Sequence, residues 1–102
     1  MKALKRRIVK QNFIYTQIQR EGNIAIYEQA SRSPAKSGHL HFEVIVISRA
    51  IQKHVLGETV LREKGDEIYP GIGKWGTMGW THMTLHEAEK KFHTLLAKRN
   101  ES

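Results

Sequence analysis

The sequence predicts an α+β domain: an antiparallel four-stranded sheet with one C-terminal helix packed on one face, in the order β-β-β-β-α. Three observations point there. Runs of alternating apolar and polar residues recur up to about residue 63, as half-buried strands require. Turn-forming clusters separate those runs. The chain then switches to a three-and-four apolar spacing over 84–99. Strands in succession followed by one helix make a sheet covered on one side.

The first strand is expected over Ile8–Arg20, with Ile14 and Ile18 toward the core and Phe13, Tyr15, Gln17 and Gln19 on the other side. Glu21-Gly22-Asn23 is a short polar turn with a glycine free to take positive φ. Ile24–Gln29 resumes the alternation, which makes a β-hairpin. Ala30–Gly38 is a loop by its serine, proline and glycine content. His39–Arg49 reads as the central strand, β-branched and apolar on both faces at mid-length. Ala50–Leu56 fits either an extension of that strand or a connector. Glu58–Glu63 is read as the fourth strand through Val60 and Leu61.

Residues 64–83 contain a glycine-rich loop with a Trp-Gly segment. Long irregular segments are uncommon in compact domains and often functional. The alternative is structural: Ile68, Tyr69, Ile72 and Trp75 fold back and plug an open end of the core. Trp75 and Trp80 are expected to be buried packing residues, with an interface role as the alternative. The helix is clearly written. Thr84 is its N-cap and Glu87 completes a capping box. Leu85, Ala88, Phe92, Leu95 and Leu96 form the apolar stripe. Glu87 and Glu89 near the start and Lys98 and Arg99 near the end complement the helix dipole.

At 102 residues the chain is expected to form a single domain. An apolar fraction of 39% and a charged fraction of 26% are ordinary for a soluble protein. The longest aliphatic run, Val44–Ile47, is far short of a membrane span of roughly 20 residues. The basic N-terminus has no apolar stretch behind it and is not expected to act as a secretory signal. There is no cysteine, which excludes disulfides, thiolate metal sites and cysteine nucleophiles. A cytoplasmic location is expected.

The net charge is +7, and it is concentrated. Lys2, Lys5, Arg6, Arg7, Lys10 and Arg20 lie in the first twenty residues, which contain no acid. The remaining 82 residues hold 11 cations against all 10 acids. Residues 1–7 are read as a basic arm. Such a distribution suits nucleic acid or an acidic protein surface, while the alternative is a solubilising tail. Phe13 and Tyr15, beside Lys10 and Arg20 on a sheet face that the helix leaves open, make a platform for base stacking. The expected nucleic-acid-binding set is therefore Lys2, Lys5, Arg6, Arg7, Lys10, Phe13, Tyr15 and Arg20. The open face also offers a route to a homodimer.

Other chemistry is thin. His39, His41 and Glu43 alternate onto one strand face, but they match no metal-ligand spacing. His82 and His86 are separated by the Thr84 cap and do not share consecutive helical turns. Gly71, Gly73, Gly76 and Gly79 match neither phosphate-binding fingerprint. Asp66 and Glu67 lack a partner base or nucleophile. No catalytic residue, metal or cofactor is expected.

Glu67-Ile68-Tyr69-Pro70, Trp75-Gly76-Thr77-Met78-Gly79-Trp80-Thr81, and Thr84-Leu85-His86-Glu87-Ala88 with Phe92 resemble a pattern in small proteins carried by phages and prophages, especially in Bacteroidetes. That resemblance covers the last third of the chain and implies no catalytic residues. The segment is similar, more weakly, to the WGR domain of DNA-repair proteins, with Thr77 where the motif has arginine. The expectation from sequence is a small, basic, non-enzymatic nucleic-acid-binding accessory protein of phage or prophage type. The alternative is a module that docks on a host or virion protein.

Overall fold

The computed structural model describes residues 2–32 and 40–101. It is an α+β fold with a five-stranded antiparallel sheet and one C-terminal helix. The strands are β1 (Arg7–Lys10), β2 (Phe13–Glu21), β3 (Ile24–Ser31), β4 (Leu40–Val46), β5 (Ser48–Arg49), β6 (His54–Leu56), β7 (Thr59–Arg62), β8 (Glu67–Ile68) and β9 (Gly79–His82). The helix α1 runs over Leu85–Glu101. The main sheet has the order β1-β2-β3-β4-β9, while β5-β8 and β6-β7 are separate two-stranded pairs.

The strand roster departs from expectation in two places. The single strand expected over 8–20 is a hairpin: Gln11 takes φ 52 and turns the chain, so that Ile8 pairs with Tyr15 and Lys10 with Phe13. Val60 and Leu61 belong to β7, which among the described residues pairs with its sequence neighbour β6 and not with the main sheet. The strand that joins β4 in the main sheet is β9, from within the segment expected to be a loop. The loop expected over 30–38 begins later, because β3 continues to Ser31. Residues 33–39, including His39, lie outside the described residues.

The hairpin turn between β2 and β3 is as predicted, with Gly22 at φ 61. A Cβ there would collide with the Arg99 guanidinium, which donates to the Glu21 carbonyl at 3.3 Å. The helix begins as its sequence directs. The Glu87 N–H donates to Thr84 Oγ1 at 3.2 Å, satisfying one of the first-turn donors. Ala88 and Phe92 are buried against Ile24, Ile26, Phe42 and Val44, with Leu95 and Leu96 packed on the margin. Leu85 remains exposed.

The opposite face is where structure and expectation diverge most. It is not open. Ala25, Tyr27, Ile45 and Ile47 are buried there beneath Leu4, Ile8, Tyr15, Tyr69 and Trp75. The basic arm is therefore folded down onto the sheet. The Lys2 N–H donates to Asp66 Oδ1 at 2.7 Å, and the Leu4 N–H donates to Glu67 Oε1 at 2.8 Å. The Tyr27 hydroxyl donates to the Lys5 carbonyl at 2.8 Å, and the Gln17 N–H to the Arg6 carbonyl at 2.7 Å. The physical reason is twofold. The inward residues of β3 and β4 are apolar and need cover, and the arm's backbone polar groups find partners there.

Glu67 is the anchor of this second layer. Its carboxylate accepts from Arg20 Nη1 at 2.7 Å and Nη2 at 2.5 Å, and from Arg49 Nη2 at 3.1 Å. Its side chain is 5% exposed. The Arg20 hydrogen bonds, aided by the Leu4 N–H and the Arg20 and Arg49 charges, lower its pKa from 4.5 to about 2. A carboxylate that titrates lower in the fold than in the unfolded chain stabilises the fold fully above its unfolded value. That contribution fades as pH falls from about 4.5 toward 2. We expect Glu67→Gln to cost about 2–3 kcal/mol at neutral pH. We also expect it to flatten the decline of the urea midpoint between pH 4.5 and 2. The residual slope reflects Asp66, whose pKa is lowered by the Glu63 and Lys2 N–H groups. Chemical denaturation of both proteins across this range measures it.

Candidate functional site

A cleft of about 340 Å³ opens on the face away from the helix, lined by Lys10, Tyr15, Glu43, Tyr69, Pro70, Ile72, Trp75 and Thr81. Strand register explains its floor. Thr81 pairs with Glu43, Glu43 with Tyr27, and Tyr27 with Gln17. The next row is His41, Gln29, Tyr15 and Ile8. Paired residues in a ladder share a face, so each row sets side chains from four strands side by side. The walls come from the segment after β8. Tyr69 packs edge-on against Tyr27 at 5.2 Å and Tyr15 at 6.0 Å between ring centroids.

Glu43 is 8% exposed, an acid in the middle of a strand whose other residues, His41 apart, are apolar. The Tyr69 hydroxyl donates to its Oε1. Burial raises the Glu43 pKa, against the opposing effects of the Tyr69 hydrogen bond and the Lys10 charge. Burial, and next the Glu43 charge, push the Tyr69 phenol far above its ordinary value, so Tyr69 remains a donor. A carboxylate has about four acceptor positions, and Tyr69 fills one. Lys10 Nζ lies 4.6 Å from the Tyr69 ring centroid and 5.8 Å from that of Tyr15, within cation–π range.

Trp75 forms the far wall. Its indole Nε1 donates to Thr81 Oγ1 at 3.0 Å, and its ring packs closely against Gly79. A Cβ at Gly79 would stand 2.5 to 2.9 Å from three Trp75 ring carbons. Trp80 is elsewhere. It pairs with Val44, and Lys91 Nζ lies 4.1 Å from its ring centroid.

A second furrow of about 370 Å³ adjoins the first along Lys10 and Tyr69. Its cations are Lys2, Lys5, Lys10 and Arg62. Its acids, Asp66 and Glu67, are the ones that anchor the arm.

The residues expected to bind nucleic acid therefore separate. Lys2, Lys5 and Lys10 edge the furrow. Arg6 and Arg7 are exposed, with Arg7 on the sheet face opposite to Lys10, at the β1 edge. Tyr15 stands in the cleft, half-buried, with its hydroxyl accepting from Gln29 Nε2 at 2.9 Å. Phe13 flanks it at 6.4 Å. Arg20 is held by Glu67. Sequence reasoning missed the roles of Glu43, Tyr69, Trp75 and Thr81 in one site. The signals were a lone acid next to the apolar run of the central strand and an aromatic two residues from a second acid. Glu43 and His41 share one face, in adjacent rows, as expected; His39 lies outside the described residues, and among the described residues no three metal-ligating side chains gather.

No family model, curated protein or solved structure matches this chain. Among the described residues, no helix is long and apolar enough to cross a membrane.

Gly79→Ala should push Trp75 out of the cleft wall and cost about 1–3 kcal/mol, the usual range for overpacking. In a Trp80→Phe background, the Trp75 emission should shift to the red and become more accessible to acrylamide.

Proposed function

We propose that this protein binds single-stranded nucleic acid, with a base in the aromatic cleft and the adjoining phosphates along the cationic furrow. One observation carries the reading: Lys10 lines both depressions, so the stacking surface and the cation track are continuous. Single-strand binders combine these two elements. The cleft volume of about 340 Å³ lies within the range of small-ligand sites, roughly 300–1,000 Å³. A base must be unpaired to enter it, which favours single strands over duplex. The net charge of +7 adds a field that draws in polyanions. The role is one of binding, without catalysis.

A second reading rests on a different observation. The β6-β7 hairpin is exposed along its whole length and presents Val55, Leu56, Val60 and Leu61 to solvent. Isolated hairpins are marginal in water, and apolar exposure of this kind marks protein-binding surfaces. It supports a protein-docking role or self-association through the hairpin.

Fluorescence anisotropy with labelled single-stranded DNA, single-stranded RNA and duplex separates the two. The first reading predicts that log K for single strands falls with log salt by about 0.7 per phosphate contacted. Lys5→Ala and Lys10→Ala should each remove roughly one such increment. Both side chains are exposed, so the fold should survive. Deleting the arm is not an equivalent test, because Leu4 and Ile8 are packed on the core. Failure to bind any single strand at low salt, with salt-insensitive self-association, would favour the hairpin reading instead.

A further inference from the structure

We propose that the cleft discriminates among bases, and that the Glu43 carboxylate selects those presenting amino and imino donors, guanine foremost. The inference rests on the single-strand reading above and asks more of the same site.

The starting point is what the cleft has left to offer. Aromatic rings around a buried acid would suit a foreign cation. Here that position is taken by the protein's own Lys10, 4.6 Å from the Tyr69 ring centroid. With Lys10 in place, the cleft holds one cation and one carboxylate. A ligand carrying a phosphate at one end and a neutral, donor-bearing edge at the other complements both. A nucleotide has that form.

The donor-bearing edge must meet an acceptor. Glu43 lines the cleft, and its only described side-chain hydrogen bond is from Tyr69 to Oε1. Oε2 and a second position on Oε1 remain as acceptors. Tyr69 is a donor toward Glu43, so its hydrogen is spent there. The polar floor thus presents acceptors and no spare donor from this pair. Bases differ sharply against such a surface. On its Watson–Crick edge guanine offers two adjacent donors, N1–H and the N2 amino group, which match a carboxylate. Adenine and cytosine each offer one amino group beside an acceptor nitrogen. Thymine and uracil place one N–H between two carbonyl oxygens, and those oxygens would face the carboxylate. Recognition of an unstacked base by its Watson–Crick edge is the common mode for single strands. A good bidentate pair discriminates by a factor of roughly ten or more.

The test uses fluorescein-labelled hexamers of abasic deoxyribose phosphate that carry one base at the third position. The guests are guanine, hypoxanthine, adenine, cytosine or thymine, and a fully abasic strand is the reference. Anisotropy is read at low salt with the intact protein. The expected order is guanine above adenine and cytosine, with thymine last and near the abasic strand. Guanine should exceed thymine by roughly tenfold, and hypoxanthine, which lacks only the N2 amino group, should fall between them. Glu43→Gln replaces one acceptor by a donor at equal size. It should bring guanine and thymine to within about twofold, each read relative to the abasic strand bound by the same variant. If Glu43→Gln does not fold, the guanine-to-hypoxanthine comparison in the native protein decides alone. Equal binding of guanine, hypoxanthine and thymine overturns base reading and leaves single-strand binding standing. Failure of every strand overturns the single-strand reading itself. Competition by millimolar tetramethylammonium chloride, but not by sodium chloride, would mean that the cleft takes a cation, and would also overturn base reading.

Discussion

The carboxylate of Glu67 holds the second layer of this protein in place. It joins segments distant in sequence: Arg20 on β2, Arg49 on β5 and the backbone of Leu4 in the arm. Arg20 and Glu67 together are held largely away from solvent, where a paired charge is worth keeping and an unpaired one is costly. Without the pair, the arm loses its attachment at Leu4, and the buried face of β3 and β4 loses part of its cover. The helix protects one side of the sheet mainly through apolar packing. The other side depends on polar contacts that bring apolar residues into position.

The cleft is a by-product of that arrangement. Two residues beyond Glu67, Tyr69 lands between Tyr27 and Tyr15 and turns its hydroxyl to Glu43. The chain then rises through the short 3₁₀ turn Ile72–Lys74 and lays Trp75 on Gly79. The same folding divides the cations of the first twenty residues. Arg20 becomes structural, and Lys2, Lys5 and Lys10 stay at the surface beside the cleft. Stability and the proposed binding thus draw on one group of residues, but on different members of it.

What the sequence made legible was local. The α1 stripe and its Thr84 cap are written within a few residues, and both are present in the structure, with Leu85 of the stripe left exposed. The Gly22 turn and the placement of Tyr15 away from the helix follow from alternation and are also found. The misreadings involve pairing at a distance. Gln11 is not a residue type that advertises positive φ, so the β1-β2 turn was hidden. β9 is short and contains glycine and histidine, and its strand character comes from β4 rather than from its own composition. Val60 and Leu61 look like sheet residues yet, among the described residues, lie in a local two-stranded hairpin and not in the main sheet. The expected plug is partly realised: Tyr69 and Trp75 pack on the core, while Ile72 stays exposed. The cleft could not be read at all from periodicity, because Glu43, Tyr69, Trp75 and Thr81 meet only once both the sheet and its cover have formed.

The most direct test of this account is a two-dimensional amide NMR titration of the intact protein with a short single-stranded oligonucleotide at low salt. Saturable shifts are expected to cluster at Lys5, Lys10, Tyr15, Glu43, Tyr69, Trp75 and Thr81, with α1 and the β6-β7 hairpin little changed. Shifts confined to α1 or to the hairpin, or no saturable shifts at all, would contradict it.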